Sequence, residues 1–131
     1  MTMKHDDGKL RYDLLDDQAM DEMVAVLTYG AVKYEPNNWR TVKDARARYV
    51  AALRRHLSDY LQGEHTDDET GLLSLAHAAC DVHFLLALEL HQGHRDSLPE
   101  RLRGALEVAS RLRAERLAAA KPGPRKKRTR R

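Results

Sequence analysis

Three features of this 131-residue sequence predict an all-α fold with four main helices in a bundle. Apolar side chains recur every three to four residues through four long segments, which is the spacing of one face of an α-helix. Pro36, Gly63 and Gly93 separate these segments, and both residue types commonly end helices. No run of useful length alternates polar and apolar residues as a half-buried strand does. Four helices of this length favour a bundle.

The first two helices are expected at about 17–34 and from Asp44 to Leu61. Asp44 is suited to cap the second helix, and Gly63 to stop it. The expected inward residues of the first helix are Met20, Met23, Val24, Leu27, Ala31 and Tyr34. Those of the second helix are Tyr49, Val50, Leu53, Leu57, Tyr60 and Leu61.

The third helix is expected at about 70–92, with Asp68 or Thr66 as its cap. Its expected inward residues are Leu72, Leu75, Ala76, Ala79, Val82, Leu86 and Leu90. The fourth helix is expected from Ser97, a cap followed by Pro99 and Glu100, to about Ala120. Its expected inward residues are Leu102, Leu106, Ala109 and Leu112 or Leu117.

Length and composition predict one globular domain at 1–120. Hydrophobic residues make up 42% of the chain and charged residues 33%, and no apolar run has the roughly 20 residues that a membrane span needs. The N-terminus lacks the apolar stretch of a signal peptide. Cys80 is the single cysteine, which fits a reducing compartment. We therefore expect a cytoplasmic protein without a membrane partner, in the host cytoplasm if a phage encodes it.

Residues 121–131 are expected to form a disordered basic tail. Seven of the 23 Lys and Arg residues lie in these last eleven positions, so the remaining 16 are outnumbered by 20 acidic residues. Pro122, Gly123 and Pro124 prevent a helix from continuing into the basic run. Such a tail either binds nucleic acid nonspecifically through its charge or serves only as a solubilising terminus.

The segment 63–71 carries four carboxylates within six positions, Glu64, Asp67, Asp68 and Glu69. Like charges this close repel one another unless a cation or solvent neutralises them. Mg²⁺ prefers carboxylate oxygens and bridges them to substrate phosphates, and Mn²⁺ accepts similar ligands. The segment is therefore either a metal-binding loop or a solvated acidic turn.

Two histidines flank this acidic segment. His56 lies at the edge of the apolar face of the second helix, and His77 and Asp81 share a face of the third helix because they are four residues apart. Inward histidines and carboxylates can bind a metal inside a bundle. Alternatively, His56 is a satisfied core histidine, and His77 pairs with Asp81 at the surface.

A second set of residues could bind an anion and a base. Lys9 and Arg11 lie near the N-terminus, and Lys33 lies at the end of the first helix. The adjacent Asn38 and Trp39 could bond and stack on a nucleobase, although Trp39 could equally cover the core. The chain has no Walker loop and no GxGxxG motif.

The order of these motifs resembles the phage dATP/dGTP diphosphohydrolase family, which is related to the MazG-like all-α nucleotide pyrophosphohydrolases. The segments that carry the resemblance are DGKLRYDLL (7–15), YGAVKYEPNNW (29–39), RYVAALRRHL (48–57) and GEHTDDETGLLSLAHA (63–78). The resemblance implies a MazG-like bundle and cleavage of a purine deoxynucleoside triphosphate into monophosphate and pyrophosphate, with Mg²⁺ or Mn²⁺. It also implies a homo-oligomer whose site is completed between subunits.

The matching positions imply roles for individual residues. His56 and Glu64 are the expected catalytic residues, and Glu64, Asp67 and Glu69 are the expected metal ligands. The expected substrate-binding residues are Lys9, Arg11, Lys33, Asn38 and Trp39. Glu22, His77 and Asp81 are second-tier candidates. The chain departs from the family pattern at Ser74, where a histidine is expected, and Asp21-Glu22 only partly matches the paired glutamates of MazG-like enzymes.

Two other functions remain open at this point. The chain could hydrolyse a different nucleotide, such as dCTP, dUTP or a modified nucleotide. It could instead be a nonenzymatic nucleic-acid-binding protein that acts through its basic tail.

Overall fold

The computed structural model describes residues 9–93 and 97–123, which form two compact units. One unit is Leu10–His94, and the other joins Met1–Lys9 to Arg95–Arg131. The first unit holds the helices α1 (Asp17–Lys33), α2 (Ala45–Leu61) and α3 (Ser74–His91) and two short 3-10 helices, Tyr12–Leu14 and Asn38–Thr41. The second unit holds helix α4 (Leu98–Ala119). The expected all-α class with four main helices is confirmed.

Most of the expected helix ends are confirmed. Asp16 caps α1 by accepting a hydrogen bond from the Ala19 N–H, and Ser97 caps α4 by accepting one from the Glu100 N–H. Gly63 ends α2 with a φ of +88°, in the left-handed region that favours glycine. The following Glu64 N–H donates to the Asp59 carbonyl oxygen at 2.9 Å, which satisfies a free carbonyl of the last turn.

The expected N-cap of α2 is confirmed in position but not in its capping bond, and the expected caps of α3 were wrong. Asp44 stands at the N-cap of α2, but it has a left-handed backbone and its side chain makes no capping hydrogen bond. Helix α3 begins at Ser74 after Leu73, so neither Asp68 nor Thr66 caps it. Residues 66–73 form a closed loop instead of the first turn of α3. The Asp67 N–H donates to the Leu72 carbonyl oxygen at 2.8 Å, and Thr66 forms an isolated β-bridge with Leu73.

Helix α3 packs against both α1 and α2, and this arrangement sets the core. Val26, Ala76 and Cys80 are buried together, with Met23, Leu27, Leu72 and Phe84 packed around them. The side of α3 that faces the other two helices carries small or polar residues, which allow close helix approach. These buried residues are Ser74, Ala76, Ala78, Cys80 and Asp81.

The expected inward faces were partly wrong. The larger apolar residues of α3 remain about half exposed: Leu75 44%, Val82 49%, Leu86 54% and Leu90 50%. Val26 is buried on α1, whereas the expected Val24 and Tyr34 are exposed. On α2, Tyr49 and Leu53 turn inward but Leu61 is exposed. On α4, Leu102 is half-buried and Leu106 is exposed.

Two further expectations concern the membrane and the tail. Among the helices in the described segments, none combines the length and hydropathy that a membrane crossing requires. Residues 124–131 of the expected basic tail lie outside the described residues.

Candidate functional site

A cavity of about 850 Å³ opens within the unit Leu10–His94, between α1, α2, α3 and the loops that connect them. Its walls include eight of the candidate residues, which come from five separate parts of the sequence. These eight are Lys33, Asn38, Trp39, His56, Asp67, Glu69, His77 and Asp81. Pockets of this size are typical of small-molecule sites.

Asp67 organises the acidic loop at one wall of the cavity. Its Oδ1 atom accepts hydrogen bonds from the backbone N–H groups of Glu69 and Thr70, both at 3.0 Å, and from the Thr70 hydroxyl at 3.3 Å. Burial works to raise the pKa of Asp67, but the Thr70 N–H, the charge of His77 and the Glu69 N–H outweigh it and lower that pKa. Asp67 is therefore ionised at neutral pH and fixes the loop that carries the other carboxylates.

Glu69 pairs with Lys33, so one expected metal ligand contacts one expected phosphate-binding residue. The Lys33 Nζ donates to Glu69 Oε1 at 2.7 Å, with side chains 37% and 60% exposed. The hydrogen bond from Lys33 lowers the pKa of Glu69 and raises that of Lys33. Because the pair is exposed, solvent screens it and its exchange for other partners costs little.

His56 and Asp81 meet where α2 and α3 face each other. The His56 Nε2 lies 3.9 Å from Asp81 Oδ2, and the His56 ring stacks on His77 at 4.9 Å between ring centroids. Burial lowers the pKa of His56, with a further contribution from the charge of His77. Burial raises the pKa of Asp81 to about 7. Below that pH Asp81 is mostly protonated and uncharged, so this contact is not an ion pair.

Two buried atoms of this pair have no hydrogen-bond partner, His56 Nδ1 and Asp81 Oδ2. Unpaired buried polar atoms are unfavourable and are uncommon outside functional sites. The neighbouring His77 is paired differently from the expected contact with Asp81. Its Nε2 lies 2.9 Å from the Thr70 hydroxyl, which links α3 to the acidic loop.

The expected metal ligands Glu64, Asp67 and Glu69 differ in their surroundings. Within residues 9–93 and 97–123, no three His, Cys, Asp or Glu side chains gather closely enough to hold a metal ion. Asp67 Oδ1 is occupied by three donors, and Glu69 is paired with Lys33. The side chain of Glu64 is exposed, and Glu64 does not line the cavity.

Aromatic side chains line another part of the cavity. Trp39 stacks on Phe84 at 4.9 Å between ring centroids, and Tyr49 contacts Phe84 at the same distance. The Tyr49 hydroxyl donates to the Trp39 carbonyl oxygen at 3.2 Å. Trp39 lies in the 3-10 helix Asn38–Thr41.

Three other candidates lie elsewhere on the chain. Arg11 is exposed and pairs with Asp13 at 2.7 Å. Glu22 is exposed on α1 and is absent from the cavity wall. Lys9 is exposed and belongs to the other compact unit.

Sequence reasoning missed several residues of the cavity wall. Arg40, Tyr49, His83 and Phe84 line it, although Tyr49 was expected only in the core. The position of Arg40 beside Trp39 was the one available signal, because adjacent residues of a tight turn stay together. The spacing of Phe84 on α3 fits any inward residue and gave no indication of the cavity.

Cys80 is unsuited to act as a nucleophile. It is buried, its Sγ donates to the Met23 carbonyl oxygen at 3.2 Å, and burial raises its pKa to about 11. A thiol in this state is inert at neutral pH.

The comparisons with known proteins match the part of the chain that contains the cavity. A family model described as dATP/dGTP diphosphohydrolase, N-terminal, matches residues 1–97. A dATP/dGTP diphosphohydrolase of Salmonella phage PMBT28 is 36% identical over 86 residues, which are 66% of this chain and 29% of the phage protein. No solved structure matched the chain significantly. By the match over residues 1–97, the chain belongs to the family of dATP/dGTP diphosphohydrolase N-terminal domains.

Proposed function

We propose that this chain hydrolyses dATP and dGTP between the α- and β-phosphates, releasing the monophosphate and pyrophosphate. One observation supports this reaction above the alternatives. A single cavity brings cations, carboxylates, histidines and stacked aromatic rings together inside the segment that matches the family. A triphosphate needs the cations, an attacking water needs a proton acceptor, and a base needs the aromatic wall. The reaction would take place in the cytoplasm.

Each part of the cavity has a proposed task. Lys33 binds the phosphates and stabilises charge on the leaving pyrophosphate. Asn38 and Trp39 hold the sugar and base. His56 or Glu64 accepts the proton of the attacking water. The lowered pKa of His56 leaves its imidazole neutral, as a proton acceptor must be.

A divalent cation, Mg²⁺ or Mn²⁺, is part of the proposal. Mg²⁺ commonly binds through one or two carboxylates together with the phosphates of the substrate, so it does not require a full set of protein ligands. When bound, it would neutralise charge on the triphosphate. Within residues 9–93 and 97–123 no three carboxylates or histidines lie close enough together to hold a metal ion, so we assign no step to the ion.

Product analysis tests the reaction. All common ribo- and deoxyribonucleoside triphosphates are incubated with the full chain and Mg²⁺ or Mn²⁺, and pyrophosphate and orthophosphate are measured separately. We expect pyrophosphate from dATP and dGTP. Orthophosphate as the sole product would exclude cleavage between the α- and β-phosphates. Turnover of dCTP or dUTP alone would reassign the substrate, and no turnover would favour a nucleic-acid-binding protein.

Amide substitutions test the acidic residues. Replacing Glu64, Asp67 or Glu69 by the corresponding amide should lower turnover by at least about 100-fold in each case. Asp67→Asn keeps the oxygen that accepts the loop hydrogen bonds, so the loop should persist while the charge is lost. Asp68→Asn is the matched control, because it removes one charge from the same loop at an exposed residue to which the proposal assigns no role. Full activity in all three variants would place the acidic machinery elsewhere, with Glu22 and Asp81 the next to test.

A further inference from the structure

Two planar groups pack against the indole ring of Trp39. The Phe84 ring stacks on it at 4.9 Å with an interplanar angle of 26°, and the Arg40 guanidinium carbon lies 4.3 Å from the ring centroid. These two neighbours differ in how firmly they are held.

The Phe84 face of the indole is fixed. Phe84 packs against the core of Val26, Ala76 and Cys80, and it also contacts the Tyr49 ring. Opening a gap there for a ligand would require removing Phe84 from the core, which is costly.

The Arg40 face is exchangeable. Arg40 is exposed, and its side chain is long and flexible. Its Nη1 lies 3.2 Å from the His91 Nε2. The His91 nitrogen must be the acceptor, because arginine only donates. An exposed cation–π contact is weak, on the order of the energy of a surface ion pair. The guanidinium can therefore move away from the indole at small cost.

We infer that the purine base of the substrate enters between Trp39 and Arg40, so that the base stacks on the indole and the guanidinium closes over its second face. This inference rests on the proposed function and assigns to Arg40 a role in base selection. Nucleobases stack on aromatic rings and on guanidinium planes alike. A purine covers more of both planes than a pyrimidine does, so this clamp favours dATP and dGTP over dCTP and dTTP.

Trp39 is the single tryptophan of the chain and therefore reports on its own site. The full chain is titrated with dGMP, dAMP, dCMP and pyrophosphate while tryptophan fluorescence is recorded. We expect saturable quenching by the two purine monophosphates, and little or none by dCMP or pyrophosphate. Equal quenching by dCMP, or none by the purines, would overturn the inference.

Substitutions of Arg40 test the second plane of the clamp. Arg40→Ala should weaken purine binding about 5- to 150-fold, the range of a lost stacking partner, and should raise KM for dATP and dGTP with little change in kcat. Arg40→Lys keeps the charge but not the plane, so it should lose nearly as much. Arg46→Ala is the control, because Arg46 is exposed on α2 and absent from the cavity wall. Unchanged or tighter purine binding in Arg40→Ala would overturn the inference.

The inference and the proposed function fail separately. Hydrolysis of dATP without purine-specific quenching would leave the reaction standing and place the base away from Trp39. Purine-specific quenching without hydrolysis of any nucleotide would leave the clamp standing and remove the proposed reaction.

Discussion

Asp81 is a buried carboxyl group held in place without a hydrogen bond to its Oδ2 atom. It is 6% exposed, and its Oδ2 lies 3.9 Å from the His56 Nε2. Burial raises the pKa of Asp81 to about 7 from its ordinary value of 3.8. A carboxyl that is kept uncompensated in this way lowers stability, which is typical of residues retained for function.

The raised pKa of Asp81 gives stability a defined pH dependence. Well below pH 3.8 both the folded and the unfolded chain carry the proton, so burial of Asp81 costs least there. As the pH rises, the unfolded chain releases this proton first, so the stabilising effect of the bound proton declines and is lost above about pH 7. Asp81→Asn cannot titrate and should raise the thermal midpoint at pH 8 by at least about 3 °C, with a much smaller gain at pH 4.5.

Calorimetry at the two pH values measures this difference. Asp68→Asn removes the same charge from an exposed position and should change the midpoint little at either pH. An equal gain for Asp81→Asn at pH 4.5 and pH 8 would contradict the raised pKa. The same variant should lose turnover if Asp81 acts in the cavity, which would separate stability from activity.

At the scale of the helices, Gly63 and Gly30 should respond oppositely to replacement by alanine, because their backbone conformations differ. Gly63 ends α2 with a φ of +88°, whereas Gly30 lies inside α1, and an added Cβ would meet no atom within 4 Å at either position. Gly63→Ala should therefore destabilise by about 1–2 kcal/mol through backbone strain alone. Gly30→Ala should stabilise by about 0.5–1 kcal/mol, because alanine is the better helix former.

Urea unfolding of the two variants measures both changes under the same conditions. Both variants replace glycine by alanine. Opposite signs of the change in the free energy of unfolding would therefore be due to the different backbone conformations at the two positions. Destabilisation by Gly30→Ala would mean that the cavity wall beside Gly30 does not tolerate the extra methyl group. A neutral Gly63→Ala would mean that α2 can end without its left-handed residue.

The positions of the helices could be predicted from the sequence, but the side of each helix that is buried could not. Local signals such as Pro36, Gly63 and Ser97 act within a few residues, so they fixed most helix ends. The start of α3 was missed because hydrogen bonds to Asp67 fold residues 66–73 into a loop that apolar spacing does not reveal. The spacing of apolar residues also does not show which side of α3 packs against both α1 and α2.

The residues of the candidate site were likewise predicted only in part. The resemblance identified Lys33, Trp39 and Asp67, which line the cavity, because each lies in a segment that carries the family pattern. It also selected Glu64, which lies away from the cavity wall, since sequence proximity to Asp67 does not determine side-chain direction. Phe84 becomes a neighbour of Trp39 only when α3 packs beside the 3-10 helix Asn38–Thr41.

At the scale of the whole molecule, the apolar row on α3 predicts self-association. Leu75, Val82, Leu86 and Leu90 recur at helical spacing and are each 44–54% exposed, while four hydrophobic residues are buried among the described residues. A row of this kind commonly marks a protein interface. A second copy of this chain is the partner we propose, in line with the oligomer that the family resemblance implies.

Light scattering during size-exclusion chromatography tests this association. The chain should elute as an oligomer, and Leu86→Glu should shift it to the 15.0 kDa monomer while keeping its helical content. Val32→Glu is a matched control, because Val32 is 84% exposed on α1 and lies outside the row. A parent chain that elutes as a monomer would contradict the predicted self-association.

The basic tail should be dispensable for catalysis. Every residue of the cavity wall lies between positions 26 and 84, and residues 121–131 include no apolar side chain that could join a core. Truncation after Ala120 should therefore leave the thermal midpoint and the hydrolysis of dATP and dGTP nearly unchanged. Any DNA affinity should fall, and the slope of its logarithm against that of salt concentration should flatten by up to about 6, because seven cations are lost.

A full-length variant with these seven Lys and Arg residues replaced by Gln separates charge from length. It should bind DNA as weakly as the truncated chain and hydrolyse nucleotides as well as the parent. Loss of hydrolysis in both variants would mean that the tail supplies cations to the triphosphate. Loss in the truncated chain alone would mean that its length matters and its charge does not. In either case the division between a catalytic domain at 1–120 and a dispensable tail would be wrong.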